Sequence, residues 1–236
     1  MNSIEMDNNH HYYIGTTTGT VFRSEDHGKT WQKSTDPSPG YNGYILLKSA
    51  GDVLWASSNK SLWYTANGGL SWKIDTVGIP SGEVLSEISQ APDSTFYMVT
   101  NDGKLLKSEG LDKPWKKLNF TEFVKNIYIT KTGDIIINAS GGNLNIYKSS
   151  DNGATFNKVH TVSVAFWSSY SFNFVIPYKE GFLMLLPGNG IWFTKEFNTY
   201  TSFWNNTNLI NFNKLKDNVL IARDVNADKV YYLNGN

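Results

Sequence analysis

Short apolar runs return along the chain at a steady interval. Val21-Phe22-Arg23-Ser24, Leu62-Trp63-Tyr64-Thr65, Leu105-Leu106-Lys107-Ser108, Ile146-Tyr147-Lys148-Ser149, Ile191-Trp192-Phe193-Thr194 and Val230-Tyr231-Tyr232-Leu233 align with one another. Their last residues are 41, 43, 41, 45 and 39 positions apart. Ahead of each lies a turn rich in Gly, Asn and Asp, such as Thr18-Gly19-Thr20, Asn101-Asp102-Gly103 and Gly188-Asn189-Gly190. Further upstream comes another apolar run and another turn, such as Ser49-Ala50-Gly51-Asp52 or Lys131-Thr132-Gly133-Asp134. Short β-rich runs punctuated by such turns read as hairpins. A unit of four strands, A to D, repeating about every 40 residues is the signature of a propeller blade. Six units, at 1–35, 36–76, 77–119, 120–161, 162–206 and 207–236, account for the sequence.

A second pattern sits just after the aligned runs. Ser24-Glu25-Asp26-His27-Gly28-Lys29-Thr30-Trp31 has the form S-x-D-x-G-x-T-W, and Thr65-Ala66-Asn67-Gly68-Gly69-Leu70-Ser71-Trp72 and Ser149-Ser150-Asp151-Asn152-Gly153-Ala154-Thr155-Phe156 repeat it. Each residue type has a mechanical reason. The Asp or Asn oxygen folds back onto backbone N–H groups and substitutes for a backbone turn. The Gly supplies a left-handed conformation that other residues adopt at a cost. Hydroxyls of Ser24, Thr30, Thr65, Ser71, Ser149 and Thr155 can bond across the turn. Trp31, Trp72 and Phe156 anchor the returning strand. Two units carry decayed versions, at Ser108 to Trp115 and at Thr194 to Asn198, and the sixth ends at its third strand.

The octet resembles the Asp-box, or BNR repeat, of sialidases, sortilin-type receptors, a photosystem II assembly factor and some xyloglucanases. The resemblance implies an all-β propeller of four-stranded antiparallel blades. The boxes are then C–D turns of the scaffold, so Ser24, Asp26, Gly28, Thr30, Trp31, Thr65, Asn67, Gly69, Ser71, Trp72, Ser149, Asp151, Gly153, Thr155 and Phe156 are structural. Six blades are expected, with part of a seven-bladed propeller as the alternative. The resemblance also implies an extracellular or cell-envelope protein whose signal has been removed, since Met1 to His11 has no basic-then-apolar pattern. The photosystem assembly factor is similar in fold but carries an arginine-rich patch absent here, which sets it aside as a remote relative.

Composition narrows the chemistry. Lys plus Arg equal Asp plus Glu, 21 against 21, so the basic excess of a nucleic-acid binder is missing. With no cysteine, disulfides and thiol chemistry are excluded. No apolar run has the length of a membrane span. The arginines are Arg23 and Arg223, too few for the arginine triad of a sialidase. A different glycosidase needs two facing carboxylates, for which Asp36, Glu83, Glu122, Asp224 and Asp228 are candidates without a spacing signal. Neither a metal nor a cofactor is expected: His10 and His11 are adjacent and would point to opposite faces of a strand. The lysines Lys104, Lys107, Lys113, Lys116 and Lys117 make the third unit basic, as a partner patch or as protection of an outer strand.

The resemblance places ligands opposite the boxes, among the D–A connections and B–C turns. Two connections stand out. Val162 to Phe172 is long, aromatic and uncharged, and Asp36 to Tyr44 sets tyrosines among turn residues. Such rings either plug the packing between blades or offer a platform to a sugar or a protein. Tyr41, Phe123, Trp167 and Tyr170 are the candidate ligand-binding residues. The expected function is a non-enzymatic module recognising a glycan or a protein. A glycoside hydrolase with an unrecognised carboxylate pair is the alternative, and a structural spacer a third reading.

Overall fold

The computed structural model describes residues 3–58, 61–75, 77–80, 83–140, 143–162, 175–186, 190–205, 209–214, 219–224 and 229–234. They form strands and turns, with no helix among them. The first sheet holds β1 (Ser3–Met6), β2 (Tyr12–Gly15), β3 (Val21–Ser24) and β4 (Gln32–Lys33). The second holds β5 (Leu46–Ala50), β6 (Val53–Ser57), β7 (Leu62–Thr65) and β8 (Lys73–Ile74). The third holds β9 (Leu85–Gln90), β10 (Phe96–Thr100), β11 (Leu105–Ser108) and β12 (Lys116–Lys117). The fourth comprises β13 (Phe123–Ile129), β14 (Ile135–Ser140), β15 (Leu144–Ser149) and β16 (Asn157–Val162). The fifth comprises β17 (Val175–Tyr178), β18 (Gly181–Leu186), β19 (Gly190–Thr194) and β20 (Thr201–Trp204). A sixth sheet has three described strands, β21 (Leu209–Lys214), β22 (Val219–Asp224) and β23 (Lys229–Asn234). In every sheet the strands are antiparallel and follow chain order, which is the blade of a β-propeller.

The residues divide into two compact units, 1–121 with 131–133, and 122–130 with 134–236. In the first unit, side-chain alternation explains the packing. The strand β6 is buried throughout, and its residues split between two cores. Leu54 and Ala56 pack with Tyr13, Val21, Ile45 and Leu47 towards the first sheet. Val53 and Trp55 pack with Phe96, Met98, Leu106 and Trp115 towards the third. Residues one apart on a strand face opposite ways, so a strand apolar at every position belongs between two neighbours. Trp55 lies at the centre, with ring centroids 5.4 Å from Tyr64 and Phe96 and 5.8 Å from Trp115. In the second unit, Ile136, Leu144 and Ile146 pack with Val175, Ile176, Phe182, Leu183 and Met184.

The boxes are C–D turns closed by their own side chains. Ser24 Oγ donates to Asp26 Oδ1 at 2.8 Å and accepts from Gly28 N at 2.8 Å. The Asp26 carboxylate accepts from Thr30 N at 2.8 Å and from Thr30 Oγ1 at 2.6 Å. Asp151 repeats this with Ser149 (2.7 Å), Thr155 N (2.9 Å) and Thr155 Oγ1 (2.5 Å). In the second box the polarity of one bond reverses, because Asn67 Nδ2 donates to Ser71 Oγ at 2.9 Å. The decayed boxes keep positive-φ residues in the turn: φ is 147° at Gly110 and 58° at Asp112 in one, and 61° at Phe197 in the other. Ser108 Oγ closes its turn by donating to the carbonyls of Gly110 (2.8 Å) and Lys113 (3.0 Å). Phe197 is buried and stacks on Phe182 with centroids 4.8 Å apart, so packing takes over from the carboxylate clamp.

The box aromatics also join neighbouring sheets. Trp72 Nε1 donates to Thr35 O at 2.9 Å, and Trp115 Nε1 to Asp75 Oδ2 at 3.1 Å, each on the connection leaving the preceding sheet. The Gly69 carbonyl accepts from Ser34 Oγ at 2.6 Å and Thr35 Oγ1 at 2.8 Å. Trp31 instead donates to Gly28 O of its own box at 3.0 Å.

Candidate functional site

Within the first unit the two loop sides separate as a four-stranded blade requires. On the box side, Asn8 of one A–B turn donates to Asp52 of the next at 2.9 Å. On the other side, connections lie against B–C turns. Ile45 N donates to Thr16 O at 3.2 Å, and Asn101 N to Val84 O at 2.9 Å. Gly19, at φ 82°, comes so close to the connection at 36–44 that a Cβ there would lie 2.3 Å from Tyr41 O.

That connection sorts its tyrosines into two roles. Tyr41 packs onto the core between the first two sheets, its N–H donates to Ser38 O at 3.0 Å, and its hydroxyl lies 3.4 Å from Tyr44 O. Tyr44 is 62% exposed. Tyr41 is thus the prop, and Tyr44 is the ring offered to solvent. Sequence reasoning singled out Tyr41; no period distinguishes inward from outward residues in an irregular segment.

The next connection carries charge. Glu83, its side chain 6% exposed, pairs with Lys104 Nζ through Oε1, and Lys104 also meets Asp102 Oδ2 at 2.8 Å. In the second unit, Phe123 is 45% exposed at the start of β13. Beside it, Glu122 Oε2 accepts from Asn145 Nδ2 at 2.8 Å and Oε1 accepts from the Tyr147 hydroxyl. Burial, with the bond to Glu122 second, pushes the Tyr147 phenol up to about 12. A phenol held protonated as a donor is the opposite of an activated nucleophile. This pair bridges 25 residues of sequence and carries no local signal. Tyr41 and Phe123 belong to different units. Trp167, Tyr170 and Asp228 lie outside the described residues, as does most of the Val162 to Phe172 stretch. Asp224 and Arg223 fall at the end of β22.

The box side holds a groove that the sequence did not flag. Its volume is about 320 Å³, and Arg23, Asp26, Lys33, Gly69 and Leu70 are among its walls. Arg23 reaches Glu25 at 2.8 Å and His11 Nδ1 at 3.2 Å and lies against Gly68. The His11 ring turns to Asp7, 3.0 Å away. Among the described residues, no group of three or more His, Asp or Glu is placed to hold a metal ion.

Blades of four antiparallel strands joined by Asp-box turns define a β-propeller of the BNR-repeat class, without the sialidase arginine set. The sequence model for the photosynthesis system II assembly factor YCF48 matches residues 16–193, and the chain belongs to that family. The relative set aside as remote is therefore the family itself. The match also corrects the expected extracellular or cell-envelope location: the matching family is described as a photosynthesis system II assembly factor, not as a cell-envelope protein. A search of the curated proteins finds no match. Among solved structures, YCF48 bound to D1 peptide is similar with a TM-score of 0.65 at 16% identity, over 94% of this chain and 74% of that one. YCF48 from Cyanidioschyzon merolae gives 0.63 at 16% identity, over 95% and 79%. A catalytically inactive virginiamycin B lyase from Staphylococcus aureus with quinupristin gives 0.68 at 13% identity, over 99% and 80%. At such identities the likeness concerns the fold, which binding proteins and enzymes share.

Proposed function

We propose that the protein is a non-enzymatic binding module for a segment of another protein, taken up on the loop side opposite the Asp-boxes. The observation that carries this reading is Tyr44, 62% exposed on a connection that Gly19, Ser38 and Tyr41 lock in place. A rigid aromatic side chain offers large contact area at low entropic cost, which is what recognition of a protein segment uses. The similar YCF48 structure with D1 peptide supports a protein rather than a sugar as partner. Catalysis is disfavoured by the state of Glu83, Asp36 and Glu122 among the candidate carboxylates: Glu83 shares Lys104 with Asp102, Asp36 meets Lys33 at 3.1 Å, and Glu122 is clamped by Asn145 and Tyr147. Phe123, Trp167 and Tyr170 are the further contact residues we propose, with Tyr41 as their counterpart's support.

The test is selection of random displayed peptides on the full chain, on Tyr44→Ala and on Phe123→Ala, with a glycan array run in parallel. Peptides should be retained by the parent and weakened about tenfold or more by Tyr44→Ala, with thermal melting unchanged. Tyr44-dependent glycan binding without any selected peptide would overturn the reading.

A further inference from the structure

The outer strands of the first unit treat their lysines differently. On β4, Lys33 is neutralised by Asp36 at 3.1 Å; on β8, Lys73 is neutralised by Asp112 at 3.3 Å. On β12, Lys116 and Lys117 are exposed and make no ion pair among the described residues, and neither does Lys113 in the turn before them. The register worsens the imbalance. Lys116 is the direct cross-strand partner of Lys107 on β11. Like charges directly opposite one another destabilise a sheet. Lys107 makes no direct ion pair among the described residues: its charge reaches Asp93 only from a distance, and its ammonium lies 5.9 Å over the Tyr97 ring. Glu109, exposed in the same turn, forms no ion pair with these lysines. Lysine on an outer strand is a common edge protection; β4 and β8 each carry one and neutralise it, whereas β12 carries two and neutralises neither.

The backbone adds a second observation. Leu118 N donates inward to Leu105 O at 2.8 Å, while Trp115 N points the other way, to Val77 O at 2.9 Å. Antiparallel alternation then turns the N–H and C=O of Lys117 outward, just past Trp115, where the connection at Val77 and Gly78 covers the edge. An extended chain laid along that edge could pair with them. Neighbouring strand residues project to opposite faces, so Lys116 and Lys117 diverge. A flat lipid surface would meet one of them; an extended chain on the edge meets both.

We propose that the outer edge of the third sheet is a docking site for an extended acidic segment of a partner protein. It is a separate surface from the Tyr44 connection and stands independently of it. The test measures fluorescence anisotropy of a labelled alternating Glu-Val peptide with the full chain, at low and physiological salt. The variants are Lys116→Gln with Lys117→Gln, Lys107→Gln, and Lys73→Gln as a control on an already neutralised strand. The double variant should weaken binding about tenfold or more, and Lys73→Gln should leave it unchanged. A Glu-Val peptide of equal charge with every backbone amide N-methylated, which cannot donate to the edge, should bind more weakly. Three results overturn the proposal: equal binding of both peptides, no binding by the parent, or lysine-dependent binding to phosphatidylserine vesicles without binding to the peptide. A double variant that melts higher while binding the peptide unchanged would likewise assign the lysines to edge protection alone.

Discussion

Asn67 is the position where the repeat's chemistry can be improved. The first and third boxes clamp their Thr hydroxyl with a carboxylate, at 2.6 and 2.5 Å. Thr30 and Thr155 thereby hold Asp26 and Asp151 at about 2. The second box has an amide, which accepts from Ser71 N at 3.1 Å but must donate to Ser71 Oγ. A carboxylate at this position would accept both bonds, and charged acceptors make the stronger ones. Asn67→Asp should therefore raise stability by a few tenths to about 1 kcal/mol at neutral pH, read as a higher urea midpoint. The gain should shrink as pH falls below about 4 and vanish near pH 2, where the new carboxyl is protonated in the fold as well. A gain that persisted there would mean that charge is not its source.

Between elements, the box aromatics act as latches, and Asp75 shows what one of them has to overcome. Asp75 is 2% exposed, and desolvation raises its pKa although the Trp115 N–H bond works against this. A carboxyl raised on folding destabilises the native state above its unfolded pKa, and that cost is relieved as pH falls. Asp75→Asn keeps an acceptor for Trp115 Nε1 and removes the buried charge. Its melting temperature should exceed the parent's at pH 7, and the difference should shrink to nothing below about pH 4. A lower melting temperature at pH 7 would show that the ionised bond outweighs desolvation. Latches of this kind mark the boundary of what the sequence discloses. The intact boxes were legible because Asp26 and Asp151 bond within four residues of themselves. The propeller strands were legible because their apolar runs recur in step. The decayed turns keep left-handed residues at Asp112 and Phe197, and for Phe197 the residue type gives no hint of it. Trp115 to Asp75, Tyr147 to Glu122 and Lys107 opposite Lys116 depend on which strands meet and in what register. Loop lengths set that register, and the repeat pattern fixes them only to within a few residues.

Across the whole molecule, opposing titrations set the pH of greatest stability. Hydrogen bonds from Thr30, Thr155, Thr95 and Tyr64 lead in holding Asp26, Asp151, Asp93 and Asp112 below the ordinary carboxyl range. Their contribution is present above about pH 4, the unfolded value, and is lost as pH falls through the folded values. Burial, foremost for both, raises Glu5 and Asp75, whose cost at neutral pH is relieved on acidification. Burial also depresses His160, which stays neutral in the fold while the unfolded chain takes up a proton below about pH 6.5. That last effect removes stability on acidification, whereas Glu5 and Asp75 return it. The profile should accordingly be shallow from pH 7 to about pH 5 and fall steeply between about pH 4 and pH 2. Solvent screening at the exposed boxes limits the depth of that fall, so its slope is the informative quantity. The paired variant Asp26→Asn with Asp151→Asn isolates the box carboxylates. Its urea midpoint should lie below the parent's at pH 7, decline less steeply on acidification, and meet the parent's near pH 2. Two curves that ran parallel throughout would mean that the threonine bonds do not favour the ionised carboxylates, and that the boxes hold their turns by shape alone.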